Sequence, residues 1–196
     1  MRKQLSPRIL PTKFNPHKNR LEKSSDVANI SVKKLKSMIE EKGQVNFVGS
    51  DFSGLDMSDC DFSGITFAKC DFHNTALHNA KFKKSFLEEC NFRESRIKDA
   101  DFSEAKMKKV DLCLCDLTGS VFYHADLTEA KMIRSNLSNT KFTNAIMRKT
   151  DLRGAIVNAT SFFGADLTGA DLDKAKVKGA DFKNAKLAGI KGYKPS

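Results

Sequence analysis

The chain has 196 residues, of which 40% are hydrophobic and none is Trp, and its formal net charge is +10. This length fits a single domain, and no apolar run approaches the roughly 20 residues that a membrane-spanning helix needs. Residues 1–44 carry 11 Lys and Arg against 4 Asp and Glu, whereas residues 45–189 carry 21 against 20. The basic character therefore belongs mainly to the N-terminal extension, and the nearly neutral remainder does not indicate nucleic-acid binding.

Residues 1–30 form a basic segment with three prolines, scattered Lys and Arg, and no apolar periodicity. The segment lacks the continuous apolar core of a secretory signal peptide. We predict a flexible extension, and a translocation signal or a partner-binding arm stays open as an alternative. Nucleic-acid binding through this arm is a further hypothesis, which requires an affinity that falls steeply with salt and disappears without residues 1–44.

Residues 31–43 predict a short α-helix. Ser31 is a suitable N-cap, and Gly43 stands where a left-handed residue ends a helix. The apolar residues of the segment fall on one helical face: Val32, Leu35, Met38 and Ile39. The helix ends where a repeat begins, and the ends of repeat proteins need a cap. We therefore predict a capping helix, with a docking helix for a partner as the alternative.

Residues 45–189 repeat with a period of five. From 47 to 187, every fifth residue is Phe, Leu, Met, Ile or Val, which makes 29 apolar anchors without an insertion or deletion. Two residues before each anchor lies a mostly small residue, and the residue between them is Asp or Asn in about half of the blocks. Neither an α-helix nor a strand brings residues five apart to one face. The chain must bend once per block, which predicts a solenoid.

A lag of twenty residues sets the number of blocks in each turn of the solenoid. Every fourth anchor, starting from residue 62, is Phe: Phe62, Phe82, Phe102, Phe122, Phe142, Phe162 and Phe182. Spacings of fifteen or twenty-five residues do not separate the Phe anchors from the other anchors in this way. Four blocks therefore make one coil, and similar residues of successive coils stack on each other. About seven coils, spaced like neighbouring strands, give a rod with a length of roughly 35 Å.

The blocks Ala165-Asp166-Leu167, Ala170-Asp171-Leu172 and Ala180-Asp181-Phe182 carry the pattern A-[DN]-[LF]-x-x. In this pattern the chain resembles the pentapeptide repeat family over about three quarters of its length. The resemblance implies an all-β fold, a right-handed quadrilateral β-helix (a β-solenoid) with the anchor and the small residue both inside. It does not imply one function, because the family includes DNA-mimicking inhibitors of DNA gyrase, secreted bacterial effectors and many proteins with no known role.

Residues 190–196 form a short C-terminal tail after the last block. No helix fits there, and Ile190 and Tyr193 are the residues that can fold over the last coil. Otherwise Val177, Phe182 and Leu187 would present an open end. Gyrase-directed members of the family pair end to end through C-terminal elements, so the resemblance motivates a homodimer through this end as a hypothesis.

Catalytic and metal-binding patterns are missing from the sequence. Four of the five cysteines belong to the small inward positions and are interpreted as core-filling thiols: Cys60, Cys70, Cys90 and Cys115. Cys113 is predicted to face outward, on the opposite side of the wall from Cys115, which argues against a metal-binding pair. The Asp residues occupy turn-side positions, where short side chains bond to backbone amides. We predict a protein that is not an enzyme and has no cofactor and no metal.

The outward positions are mostly polar, and the apolar exceptions are candidates for a protein-binding surface. They lie on several sides of the rod: Val121, Tyr123 and Phe163 on the side of the Phe ladder, Cys113, Leu114 and Ile133 on the side of Leu112, and the more isolated Phe86 and Ile146. The alternative is tolerated exposure on a rigid wall. A small basic area is also predicted on the side of Met107 and Met147, formed by Lys106, Lys108, Lys109, Arg148 and Lys149.

The sequence favours a rigid protein–protein interaction scaffold with an unknown protein partner. A DNA-mimicking regulator or protector of DNA gyrase is the alternative, but imitation of DNA needs a continuous negative surface and this repeat is nearly neutral. Bacterial cytoplasm is the expected location of a leaderless chain with free thiols. Delivery into a host or target cell by a specialised secretion system, as a secreted bacterial effector, stays open.

Overall fold

The computed structural model describes residues 35, 37 and 46–194. The basic extension predicted for residues 1–30 lies outside the described residues. Of the helix predicted over residues 31–43, Leu35 and Ser37 are described, and both are helical. Leu35 is fully buried in the same apolar cluster as Phe47 and Phe52. The rest of the predicted capping helix lies outside the described residues.

Residues 46–194 form a β-helix with four sides and twenty residues per coil. Two strands, β1 (Asn46–Val48) and β2 (Thr66–Ala68), pair in parallel with Phe47 opposite Phe67. The following coils continue the ladder through single-residue parallel bridges, from Asp51↔Asp71 to Asp171↔Lys191, and each bridge joins residues twenty apart. The predicted fold class and the four-block coil are therefore confirmed.

A tight turn follows every anchor and produces the bend that the period of five requires. The residue two positions after each anchor, from 49 to 189, has φ between 53° and 74°. The next N–H bonds back to the anchor carbonyl, as from Leu55 N to Phe52 O at 3.3 Å. Positive φ at the third residue characterises a type II turn. The left-handed residue also donates its own N–H to the next coil, as from Asp59 N to His78 O at 2.8 Å, which helps to hold non-glycine residues there.

The interior contains both inward registers, as predicted. The anchors from Phe47 to Leu172 are essentially inaccessible to solvent. Hydroxyls and thiols of the small register donate to the carbonyl of the anchor 23 residues earlier, as from Ser95 Oγ to Phe72 O at 2.6 Å and from Thr140 Oγ1 to Leu117 O at 3.0 Å. A polar group in a dry core needs such a partner. This bond explains why Ser, Thr and Cys, as well as Ala, occupy these positions.

The Phe ladder runs along one inner side of the rod. From Phe82 to Phe182, successive rings are stacked with centroids 4.9 to 5.4 Å apart. In the first coils, rings from adjacent sides also meet edge to face, as Phe62 meets Phe67 at 5.6 Å. Both arrangements are favoured by the quadrupole of the aromatic ring. The ladder predicted from the lag of twenty is confirmed.

The tail folds over the last coil, as expected for Ile190 and Tyr193, and both side chains pack against the core. Gly192 makes this path possible. Its φ is +70°, and a Cβ on it would lie 2.3 Å from the backbone nitrogen of Asp173, so no other residue fits this close approach. Phe182 nevertheless remains partly exposed.

Candidate protein-binding surface

The aspartates act as structural hydrogen-bond acceptors in the turns. Asp51 Oδ1 accepts the N–H of Ser53 at 2.8 Å, and the same bond recurs in block after block. Burial alone would raise the pKa of Asp166, but hydrogen bonds from Thr168 and Arg148 outweigh it and hold the pKa at about 2. A general acid needs a raised pKa, whereas the Asp166 carboxylate is stabilised in its charged form. Among the residues that the structure describes, no group of three or more His, Cys, Asp or Glu side chains is arranged to hold a metal ion.

Cys113 departs from its prediction. It stands at an outward position, but only 3% of its surface is accessible, because side chains of the neighbouring outer positions, Arg93, Leu114 and Ile133 among them, line the same depression. Burial and the adjacent Asp111 carboxylate raise the pKa of its thiol to about 11. Cys113 therefore faces the outer wall, as predicted, but its thiol is covered, and its interpretation as an exposed surface residue is wrong. All five cysteines are buried, and none of them forms a disulfide bond.

The other candidate residues lie on the outer wall but do not form one patch. Tyr123, Ile146, Leu114 and Phe86 are 37%, 38%, 41% and 49% exposed, and Val121, Ile133 and Phe163 are partly exposed. Phe86 lines a depression with Lys106 and His124, and Ile146 lines a separate one with Lys108 and Arg148. Tyr123 and Phe163 stand two coils apart in one outward column. Of these candidates, Cys113, Leu114 and Ile133 come together in a common groove.

This groove, named here the Leu114 groove, has a volume of about 420 Å³. Its lining residues are Arg93, Cys113, Leu114, Ile133, Arg134, Arg153, Gly154, Asp173 and Lys174. They occupy two neighbouring columns, the first and second positions after the anchor, on one side of the rod. Because each step along a column is one coil, or about 4.8 Å, the groove runs parallel to the rod axis over five coils.

The rim of the Leu114 groove is cationic, with four basic residues against one carboxylate. Arg153 is held by Asp151 through hydrogen bonds of 2.9 and 2.7 Å, and Arg93 lies 3.5 Å from Glu94. Within residues 46–194, Arg134 and Lys174 have neither an ion-pair partner nor a side-chain hydrogen bond. Their positive charges are therefore free to meet a ligand.

Sequence reasoning found the apolar part of the groove and missed its basic rim. Arg134, Arg153 and Lys174 are separated from Leu114 by twenty to sixty residues along the chain, so a search for local charge clusters does not find them. The lag of twenty, applied to the outward columns as it was to the anchors, places Leu114, Arg134, Gly154 and Lys174 in one line.

The basic area predicted on the side of Met107 and Met147 is interrupted by carboxylates. Asp126 and Asp166, both almost buried, lie within it. Lys108 Nζ is 3.5 Å from Asp126, and Arg148 Nε is 2.8 Å from Asp166. Two of the five cations are therefore paired within the wall, whereas Lys106, Lys109 and Lys149 have no ion-pair partner among the described residues, so the basic area stays a prediction.

Comparison with known proteins defines the family. The model "Pentapeptide repeat region" matches residues 65–142, and the model "Pentapeptide repeats (8 copies)" matches residues 45–83 and 160–190. A pentapeptide repeat protein from the thylakoid lumen of Arabidopsis thaliana is 31% identical over 52% of this chain and 70% of its own, with a TM-score of 0.51. The chain belongs to the pentapeptide repeat family, whose solved members are right-handed β-helices.

A second similar structure is a trypsin-treated form of QnrB1, a plasmid-mediated fluoroquinolone resistance protein. It is 21% identical over 75% of this chain and 80% of its own, with a TM-score of 0.50, so the likeness concerns the fold. No curated protein sequence matches the chain significantly. Within the part of the chain that the structure describes, no helix is long and apolar enough to span a membrane.

Proposed function

We propose that the protein is a non-enzymatic scaffold that binds a partner protein through the Leu114 groove. The observation that carries this proposal is the meeting of exposed apolar side chains, Leu114 and Ile133, with unpaired cations in one groove on a rigid wall. Protein interfaces commonly combine an apolar centre with a polar rim. The wall is preorganised by coil-to-coil hydrogen bonds, which reduces the entropy lost on binding.

Direct protein recognition is favoured over imitation of DNA by the distribution of charge. A DNA mimic needs rows of negative charge, whereas the outer columns alternate in sign, as in the pairs Lys69–Glu89 and Lys84–Glu104, both at 3.6 Å. The groove itself is basic. Regulation of gyrase through a DNA-like surface is therefore the weaker hypothesis.

Affinity capture with matched baits tests the proposal. Leu114 has φ of 60°, a conformation that Asn adopts readily, so Leu114→Asn removes the apolar group and keeps the turn. Ala159→Asn places the same residue at the same turn position on another side, where φ is 53°. We expect a partner that is captured by the full chain and by Ala159→Asn to be lost with Leu114→Asn. A partner set that is unchanged in all three baits would exclude the groove as the recognition surface.

A further inference from the structure

The Leu114 groove is apolar in one part and basic at one end. Its apolar part is formed by Cys113, Leu114 and Ile133, and Arg93 lies one coil beyond it. At the basic end, Gly154 lies between Arg134 and Lys174 in the same column, one coil from each. Arg153 is the residue directly before this glycine.

Gly154 leaves a gap among the three cations. Apart from its chain neighbours, a Cβ at this position would have only one atom within 4 Å, the Cγ of Arg134 at 3.4 Å, so the neighbouring coils leave space beside the glycine. Asp151 holds the Arg153 guanidinium at 2.9 and 2.7 Å. Arg134 has no such partner among the described residues, and its planar guanidinium can bind a carboxylate through two parallel hydrogen bonds. The gap is therefore suited to an anionic side chain.

The dimensions of the groove restrict the shape of its ligand. Its two columns consist of adjacent residues of each turn, so its floor is much narrower than an α-helix, which measures about 10–12 Å with side chains. An extended chain fits this width. The backbone N–H groups of the turns already bond from coil to coil, as from Leu114 N to Ile133 O at 3.0 Å and from Arg134 N to Arg153 O at 3.0 Å. A ligand must therefore be recognised through side chains and not as an added strand.

The spacing between the apolar part of the groove and the gap at Gly154 indicates a sequence pattern for the ligand. Ile133 and Leu114 lie one and two coils from the gap at Gly154, about 5 and 10 Å along the axis. In an extended chain, residues two apart point to the same side and are separated by about 7 Å. One apolar side chain on Leu114 and Ile133 thus places an acidic side chain two residues away beside Gly154.

We propose that the Leu114 groove binds an extended acidic segment of a partner protein, in which an apolar residue and an Asp or Glu are two positions apart. This inference rests on the proposed function and specifies the chemistry of the partner. Arg134 and Lys174 provide the charge complementarity, which is reduced by the one carboxylate of the lining, Asp173, directly before Lys174. Arg153, held by Asp151, has a fixed position at the edge of the gap.

Fluorescence anisotropy with the full chain and synthetic peptides tests this specificity. The probe is a labelled peptide of three Leu-Ser-Glu triplets, and the comparison peptides replace Glu by Lys or Leu by Ala. We expect the probe to bind and both comparison peptides to bind at least about tenfold more weakly. The Lys peptide loses a charge-assisted hydrogen bond, which is worth about one order of magnitude or more in affinity, and the Ala peptide loses the apolar area that contacts Leu114 and Ile133. Equal binding of the Glu and Lys peptides would overturn the proposal.

Variants locate the binding on the protein. Arg134→Asn removes a cation at φ of 55°, and Lys149→Asn removes one at the same turn position and the same φ on another side. We expect Arg134→Asn to weaken the probe about tenfold and Lys149→Asn to leave it unchanged, with circular dichroism confirming that both variants fold. Equal losses in the two variants would indicate nonspecific charge attraction and contradict the proposal.

The two proposals fail in different ways. If Leu114→Asn loses its captured partner while the acidic probe does not bind the full chain, the groove recognises another chemistry, and only the inference about acidic segments is overturned. If the probe binds and Arg134→Asn abolishes this binding while capture is the same for every bait, the acidic specificity holds and the scaffold function through this groove fails.

Discussion

Tyr193 stacks on Phe182 with ring centroids 4.2 Å apart and an interplanar angle of 27°. The tail thus extends the Phe ladder by one ring after the repeat has ended. Gly192 provides the turn that brings Tyr193 there. This contact covers part of the last coil and makes the tail a structural element.

Removing this ring should loosen the C-terminal coil. We expect Tyr193→Ala to destabilise the coil by about 1–2 kcal/mol, through the loss of an aromatic stack and its partial burial, and to speed hydrogen exchange of residues 177–190. Tyr193→Phe is the control, because it keeps the stack. Gly192→Ala should resemble Tyr193→Ala, since its Cβ would overlap the backbone of Asp173. Unchanged exchange in Tyr193→Ala would show that the ring does not secure the end.

The Phe ladder predicts different outcomes for two substitutions at one position. Phe122 is fully buried between Phe102 and Phe142. We expect Phe122→Ala to lower the free energy of unfolding by about 3–5 kcal/mol. Phe122→Leu should cost clearly less, because Leu fills the anchor position on the other sides of the rod. Urea denaturation measures both variants, and similar losses would mean that ring stacking outweighs the filling of volume.

The left-handed turn position predicts that a surface substitution stabilises the protein. Leu114 is a large apolar residue held at φ of 60°, where residues other than Gly and Asn or Asp are disfavoured by about 1–2 kcal/mol. We expect Leu114→Asn to raise the free energy of unfolding by up to about 1 kcal/mol while it removes the apolar part of the groove. Thermal denaturation measures this change, and a lower melting temperature would show that Leu114 contributes packing that outweighs its backbone strain.

Asp166 predicts a loss of stability in acid. Its folded-state pKa is about 2, below the ordinary 3.8, so the unfolded chain binds a proton at a higher pH than the folded chain does. The stabilisation is present above about pH 4 and is lost as the pH falls towards 2. It amounts to about 2 kcal/mol.

Asp166→Asn tests this pH dependence. We expect it to flatten the decrease of stability between about pH 4 and pH 2. Asp181→Asn is the matched control, because Asp181 accepts the same turn hydrogen bond from Lys183 at 2.9 Å but has no bonded arginine. Equal flattening in both variants would assign the effect to the turn bond and not to the Arg148 contact.

The C-terminal homodimer remains a prediction, and the charge of the last coil determines its salt dependence. Residues 173–194, at this end of the rod, carry seven lysines against two aspartates, Asp173 and Asp181: Lys174, Lys176, Lys178, Lys183, Lys186, Lys191 and Lys194. Two such ends repel each other when they meet face to face. We expect a monomer at about 0.05 M salt and association only as salt approaches about 0.5 M, where the repulsion is screened. Sedimentation equilibrium measures this, and a dimer that weakens with salt would contradict it.

The core of this fold was predictable from sequence because its repeat has no irregularity. A lag of twenty identifies which anchors stack, and this alone places Phe62 to Phe182 in one ladder. The outer wall was less predictable, because exposure there depends on the length of side chains one coil away. Cys113 is covered by its neighbours, and Asp166 is almost buried where it accepts a hydrogen bond from Arg148. The free rim of Arg134 and Lys174 appears only when the outward columns are assembled coil by coil.

Because each coil consists of four five-residue blocks, the deletion of one block rotates all following surface residues by a quarter turn. Deleting one five-residue block between Leu114 and Ile133 would leave every anchor pointing inward. All residues after the deletion would move to the neighbouring side, so Ile133, Arg134 and Lys174 would no longer stand beside Leu114. The arrangement of surface residues can therefore be changed without altering the interior, and a rod with the same core composition can present a different set of neighbours on each side.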